Sequence, residues 1–148
     1  MKTKTFTPTY IPTVGTEVHP FESFEIVDTP GQAKFVGDAP SRLLDPWQPD
    51  AVLLLVSVDS KQSYRNLAYW YDWVPEGIPV VIVGTKCDID ARRMTRENTT
   101  FHRDNRLAYF DISVKSGFGL ESLGDYLDTL LAETKGKDVS YTGQSLVA

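Results

Sequence analysis

The stretch Ile78-Pro79-Val80-Val81-Ile82-Val83-Gly84-Thr85-Lys86-Cys87-Asp88 constrains this chain more than any other, because an unbroken apolar run stops abruptly at a Lys and an Asp two residues apart. A strand apolar at every position has to be covered on both faces, which places it inside a helix-flanked parallel sheet. Ligands of such sheets gather at the carboxyl ends of the strands, where Lys86 and Asp88 fall. One carboxylate held there can accept two hydrogen bonds from a ring N–H and an exocyclic amine, the edge that guanine presents and adenine does not. The apolar stem of Lys86 can lie over the ring. Taken alone, Thr-Lys-x-Asp is a weak motif, and a solvated loop after a strand is the commoner source of such residues.

At 148 residues, 41% hydrophobic and 24% charged, the chain has the size and apolar content of one globular domain with a real core. A formal net charge of -5 argues against nucleic acid or an anionic membrane as partner. Cys87 is the only cysteine, so no internal disulfide forms and a reducing compartment is expected. No apolar run approaches a membrane span, and Met1-Lys2-Thr3-Lys4-Thr5 leads into no hydrophobic signal core. No metal-ligand spacing is present, and His19 and His102 read as structural or surface histidines.

In chain order, residues 1–12 carry Thr and Pro and read as an extended arm. Thr16 to Phe21 and Phe24 to Asp28 read as two short antiparallel strands around Glu22-Ser23, the second running into the turn Asp28-Thr29-Pro30-Gly31-Gln32. Pro40, Pro46 and Pro49 leave room for at most one short helix, starting at Pro40. Ala51 to Val58 is a second continuous apolar run and hence another interior strand. Asp59 or Ser60 is placed to cap the next helix, with Gln62 reciprocating to Asp59, and its apolar face is Tyr64, Leu67, Ala68 and Tyr71. The charged stretch from Arg92 to Arg106 reads as a solvated face. Leu107 to Ile112 is a last strand, Leu120 to Leu131 an amphipathic helix, and residues 135–148 a loosely attached tail.

The order of these pieces resembles the small GTPases of the Ras superfamily. Thr13-Val14-Gly15 before a strand, Asp28-Thr29-Pro30-Gly31-Gln32, Thr85-Lys86-Cys87-Asp88 and Ser113-Val114-Lys115 follow that family's sequence and spacing. Within it the chain looks like the Ran branch of nuclear transport, through Thr16-Glu17-Val18-His19-Pro20, Tyr64-Arg65-Asn66 with Trp70, Phe101-His102-Arg103 and Tyr109-Phe110-Asp111-Ile112-Ser113. The resemblance implies an α/β, three-layer small-GTPase-like fold over residues 1–134 with a mostly parallel sheet. It implies that Thr85, Lys86, Asp88, Ser113, Val114 and Lys115 meet the base and ribose, with Gly31 sensing phosphate. Thr13 and Asp28 would serve a magnesium ion, and Gln32 would orient the attacking water if the chain is active. Thr13 and Gln32 also read as ordinary loop residues.

The departures from the family decide what function to expect. No G-x-x-x-x-G-K-[ST] occurs in residues 1–148, so the backbone nest for phosphates, its Lys and its magnesium-binding hydroxyl have no counterpart. The expectation is a fold missing the first strand, phosphate loop and first helix. The implied function is a degenerate GTPase that mimics or competes with Ran, in nucleus or cytoplasm, by binding Ran-binding or transport proteins through the switch-like region. Its alternative is a reduced but working GTPase that takes GTP or GDP with magnesium. The gap left in the sheet is expected to close by direct pairing of the strands ending at Asp28 and starting at Ala51, with self-association or a partner covering the bare face; the alternatives are that the arm Lys2 to Thr7 folds back as a surrogate strand or that a second chain supplies the cover.

Overall fold

The computed structural model of the chain describes residues 9, 11–21, 24–31, 44, 46–95, 98–135 and 145–147. β1 (Glu17–Phe21) and β2 (Phe24–Asp28) form the expected antiparallel pair, with Phe21 opposite Phe24 and Glu17 opposite Asp28. β3 (Ala51–Ser57), β4 (Val80–Thr85) and β5 (Ala108–Asp111) are parallel. Their registers put Val52 beside Val80 and Val83 beside Phe110. The apolar runs that define β3 and β4 in the sequence are therefore interior strands, and Val80 to Gly84 are buried throughout.

Two clusters of side chains cover the two faces. On one, Leu53, Val81, Val83 and Ile112 pack against Leu123, Leu127 and Leu131 of α4 (Leu120–Lys135), whose fourfold spacing keeps those leucines in one line. On the other, Val52, Val56, Val80 and Ile82 pack beneath α1 (Lys61–Arg65) and α2 (Leu67–Tyr71). Asn66 interrupts what the sequence reads as one helix, and Leu67 is its buried anchor while Ala68 is exposed. Ser60 is the cap, accepting from the Ser63 N–H at 3.2 Å. Gln62 does not reciprocate to Asp59; its amide donates to Asn66 at 2.8 Å, and Asp59 instead accepts from the Ser57 hydroxyl. A short α3 (Phe101–Asp104) lies within the charged stretch and buries His102 against Tyr109, with ring centroids 4.8 Å apart.

The sheet does not close by direct pairing of β2 with β3. β6 (Ser145–Val147) lies between them and is parallel to both, giving the order β1-β2-β6-β3-β4-β5. Leu146 stands opposite Ile26 on one side and Ala51 on the other. Part of the segment read as a loosely attached tail is thus a central strand. The physical reason is main-chain satisfaction: two interior edges facing each other across a gap gain more from a strand that pairs with both than from solvent. The arm Lys2 to Thr7 and a helix starting at Pro40 fall outside the described residues, and among those described no strand or helix precedes β1. The α/β, mostly parallel, helix-covered fold expected from the sequence is the one observed.

Candidate functional site

The carboxyl ends of β4 and β5 carry the first group of site residues. β4 ends at Thr85, whose hydroxyl donates to the Val56 carbonyl at 3.2 Å and so ties β4 to β3 instead of facing a ligand. Lys86 then takes a left-handed conformation, φ 61°, rare for a side chain of its kind. The resulting turn is closed by the Ile89 N–H donating to the Lys86 carbonyl at 3.1 Å, and the Cys87 N–H donates across to Ile112 at 3.2 Å. Asp88 is thereby swung over the exit of β5. There Ser113, fully buried, donates its hydroxyl to Asp88 Oδ1 at 2.6 Å, and Lys115 Nζ stands 3.8 Å from Oδ2. The Ser113 hydroxyl, with the main-chain groups of Ser113, also anchors the turn that follows: Ser116 N–H to Ser113 Oγ at 3.1 Å, Gly117 N–H to the Ser113 carbonyl at 2.8 Å. Val114 and Phe118 are exposed on the rim of this site.

The Ser113 hydroxyl, with smaller help from a main-chain N–H and Lys115, holds the Asp88 carboxyl below its ordinary value of 3.8. Asp88 is therefore an acceptor at neutral pH, its carboxylate 22% exposed and open on the solvent side. An ionised carboxylate steadied on one oxygen and backed by an ammonium group suits a ligand edge that offers two N–H donors.

The loop bearing Lys86 and Asp88 is clamped at its far end by residues that the sequence reading assigned to a solvated face. Arg92 Nη2 donates to both oxygens of Asp111 at 2.9 and 2.7 Å, and its Nε donates to the Met94 carbonyl at 2.6 Å. Tyr109 donates its hydroxyl to the same Asp111 at 2.7 Å. The N–H groups of Arg93 and Met94 both donate to the Val58 carbonyl, at 2.9 and 2.8 Å. Arg92 is a half-buried structural cation, not a solvated one. The one hint in the sequence is that Tyr109 and Asp111, two apart on a strand, share a face; nothing in it pairs them with Arg92.

The remaining residues gather elsewhere. Thr13 donates its hydroxyl to Asp28 Oδ2 at 3.1 Å, and both line a cavity of about 490 Å³ that Gly31, Thr85 and Lys86 also border. Between these polar residues its wall is Leu55, Leu67, Trp70 and Trp73. Thr13, Asp28 and Gly31 thus come together, as do Asp88, Ser113 and Lys115, with Lys86 at the junction. Gln32 lies outside the described residues. The two groups differ in kind: Asp88 and Lys115 bring an acceptor and a cation together, whereas the cavity has one carboxylate, Asp28, one ammonium, Lys86, and otherwise neutral walls among the described residues.

A parallel sheet covered by helices on both faces, with ligand-type side chains converging on the carboxyl ends of adjacent strands, defines an α/β nucleotide-binding class of domain. The Ras family model matches residues 1–131, and the chain belongs to the Ras family of small GTPases. Among the described residues no group of His, Cys, Asp and Glu could hold a metal unaided, and no helix is long and apolar enough to cross a membrane.

Proposed function

We propose that this small GTPase is a degenerate, Ran-like member that acts as a binding module, mimicking or competing with Ran at transport proteins and holding guanine nucleotide at most weakly. One observation carries the reading. The cluster of Asp88, Ser113 and Lys115 is assembled, Ser113 by a hydrogen bond and Lys115 at ion-pair range. The space beyond Lys86 is a largely apolar cavity whose charged lining, among described residues, is Asp28 and Lys86 alone. A carboxylate repels phosphate, and a single exposed ammonium is a poor substitute for a nest of backbone N–H groups. A charge-assisted contact of roughly 1.5–3 kcal/mol plus stacking corresponds to a Kd of about millimolar, which is about 4 kcal/mol. The rival, a working GTPase, draws on the Thr13–Asp28 contact, which joins the two residues a magnesium ion would need.

Calorimetric titration with GDP and GTP, each with and without magnesium, separates the two. The degenerate reading expects weak binding that prefers guanosine to adenosine, varies little with phosphate number, and is lost in Asp88→Asn. Micromolar or tighter GTP binding that requires magnesium, with turnover that Gln32→Leu abolishes, would establish the working GTPase instead.

A further inference from the structure

β6 fills only part of the channel it occupies. It has three residues where β3 has seven, and on β3 it pairs with Ala51 and Val52 alone. From Leu53 onward no described strand pairs with β3 on the side away from β4. The Val52 and Val58 N–H groups donate to β4-side carbonyls at 2.9 and 3.1 Å, so the polar groups of alternate residues, Leu53, Leu55 and Ser57, point into the channel. Ser57 is already engaged there, its N–H donating to Ser63 Oγ at 3.1 Å. Leu55 is 49% exposed in mid-sheet while its neighbour on β4, Val83, is 1% exposed. The cavity described above borders this edge, its lining including every residue from Val52 to Ser57 together with Asp28, Pro30, Trp70 and Trp73.

We propose that the channel between β2 and β3 is a strand-accepting site: an extended, uncharged peptide segment of a partner protein displaces β6 and pairs in parallel with β3 from Ala51 as far as Leu55. The occupant is a strand because a strand of this chain already sits at one end of the same channel, parallel to both flanks. Covering Ala51 to Leu55 takes about five residues at ~3.3 Å per residue, and a seven-residue peptide spans it. The occupant is uncharged because, among the described residues, the lining is apolar or neutral polar apart from Asp28 and Lys86, whose charges are opposite in sign. Main-chain hydrogen bonds to an exposed sheet edge supply affinity, and alternate side chains against Leu55 and the tryptophans supply selection. β6 acts as a tethered placeholder whose local concentration the partner has to overcome. None of this rests on nucleotide binding.

The test is titration of the full chain with a synthetic peptide, acetyl-Thr-Val-Thr-Val-Thr-Val-Thr-amide, followed by tryptophan emission, since Trp70 and Trp73 line the channel. Saturable binding is expected, and it should tighten by about tenfold or more in Leu146→Pro, where the placeholder can no longer pair normally. It should weaken by about tenfold in Leu55→Asp, and disappear for a peptide N-methylated at alternate residues. No saturable signal, equal binding of the N-methylated peptide, or unchanged affinity in Leu146→Pro would overturn the proposal. Unfolding of Leu146→Pro would also overturn it, by showing β6 to be integral. A peptide-free chain that sediments as a dimer, with the peptide unable to dissociate it, would assign the channel to a second copy and refute the partner strand.

Discussion

Asp88 and Cys87 sit one residue apart and are tuned in opposite directions, which makes the loop after β4 testable by titration alone. The Ser113 hydroxyl lowers the Asp88 carboxyl. With the folded value depressed, the contribution of this pair to stability is complete above the ordinary value of 3.8 and lost as pH falls through the lower folded value. Carbon NMR of the Asp88 carboxyl should therefore give a midpoint below 3.8 that moves upward in Ser113→Ala, with no change in its ionisation between pH 5 and 8. The Cys87 thiol is raised above 9.0, chiefly by burial and then by the Asp111 carboxylate. Thiolate is the reactive form, so alkylation of Cys87 by iodoacetamide at pH 8 should be slower than that of free cysteine and speed up on unfolding in urea. Of these residues, Lys86 and Asp88 were legible as a pair at a strand end. The family resemblance put Ser113 among the residues expected to meet the nucleotide, but its contact with Asp88 was not legible, because 25 residues of chain separate the two.

At the scale of elements, the loop from Lys86 to Met94 is held by what it touches on β5. Arg92 bridges to Asp111 while Tyr109 shares the same carboxylate, and Gly84 on the neighbouring strand leaves the space for both. A Cβ at Gly84 would lie 2.6 Å from Asp111 Oδ1 and closer still to the Tyr109 hydroxyl. Gly84→Ala is expected to destabilise by about 1–3 kcal/mol through overpacking, read from the urea midpoint. Arg92→Ala leaves a half-buried carboxylate without its guanidinium donor and the Met94 carbonyl without its partner, and should cost roughly 1–3 kcal/mol. Its hydrogen-exchange signature should be faster exchange at Arg93 and Met94 with little change in α4. Arg92→Lys, which keeps the charge but not the planar fork, should recover only part of the loss.

For the whole molecule, stability rests on one two-faced sheet, and α4 supplies most of the cover on its side. Leu127 is fully buried in the line Leu123, Leu127, Leu131, so Leu127→Ala should lower stability by about 2–5 kcal/mol, measured by denaturant unfolding. Tyr126→Ala, more than a third exposed on the same helix, should cost far less. The sequence by itself determined β3, β4 and α4, because a run apolar at every position and a fourfold leucine repeat each admit one kind of burial. It also determined the hairpin of β1 and β2, whose alternation and two-residue connection are local signals. It placed Lys86 and Asp88 at a strand end for the same local reason. The neighbour of β2 was decided only in three dimensions. Ser145-Leu146-Val147 is too short to carry a period, and its value as a strand comes from two distant edges that both need partners. The Arg92–Asp111–Tyr109 cluster was likewise a tertiary decision, since a charged residue reads as solvated until the fold brings it a half-buried counter-ion.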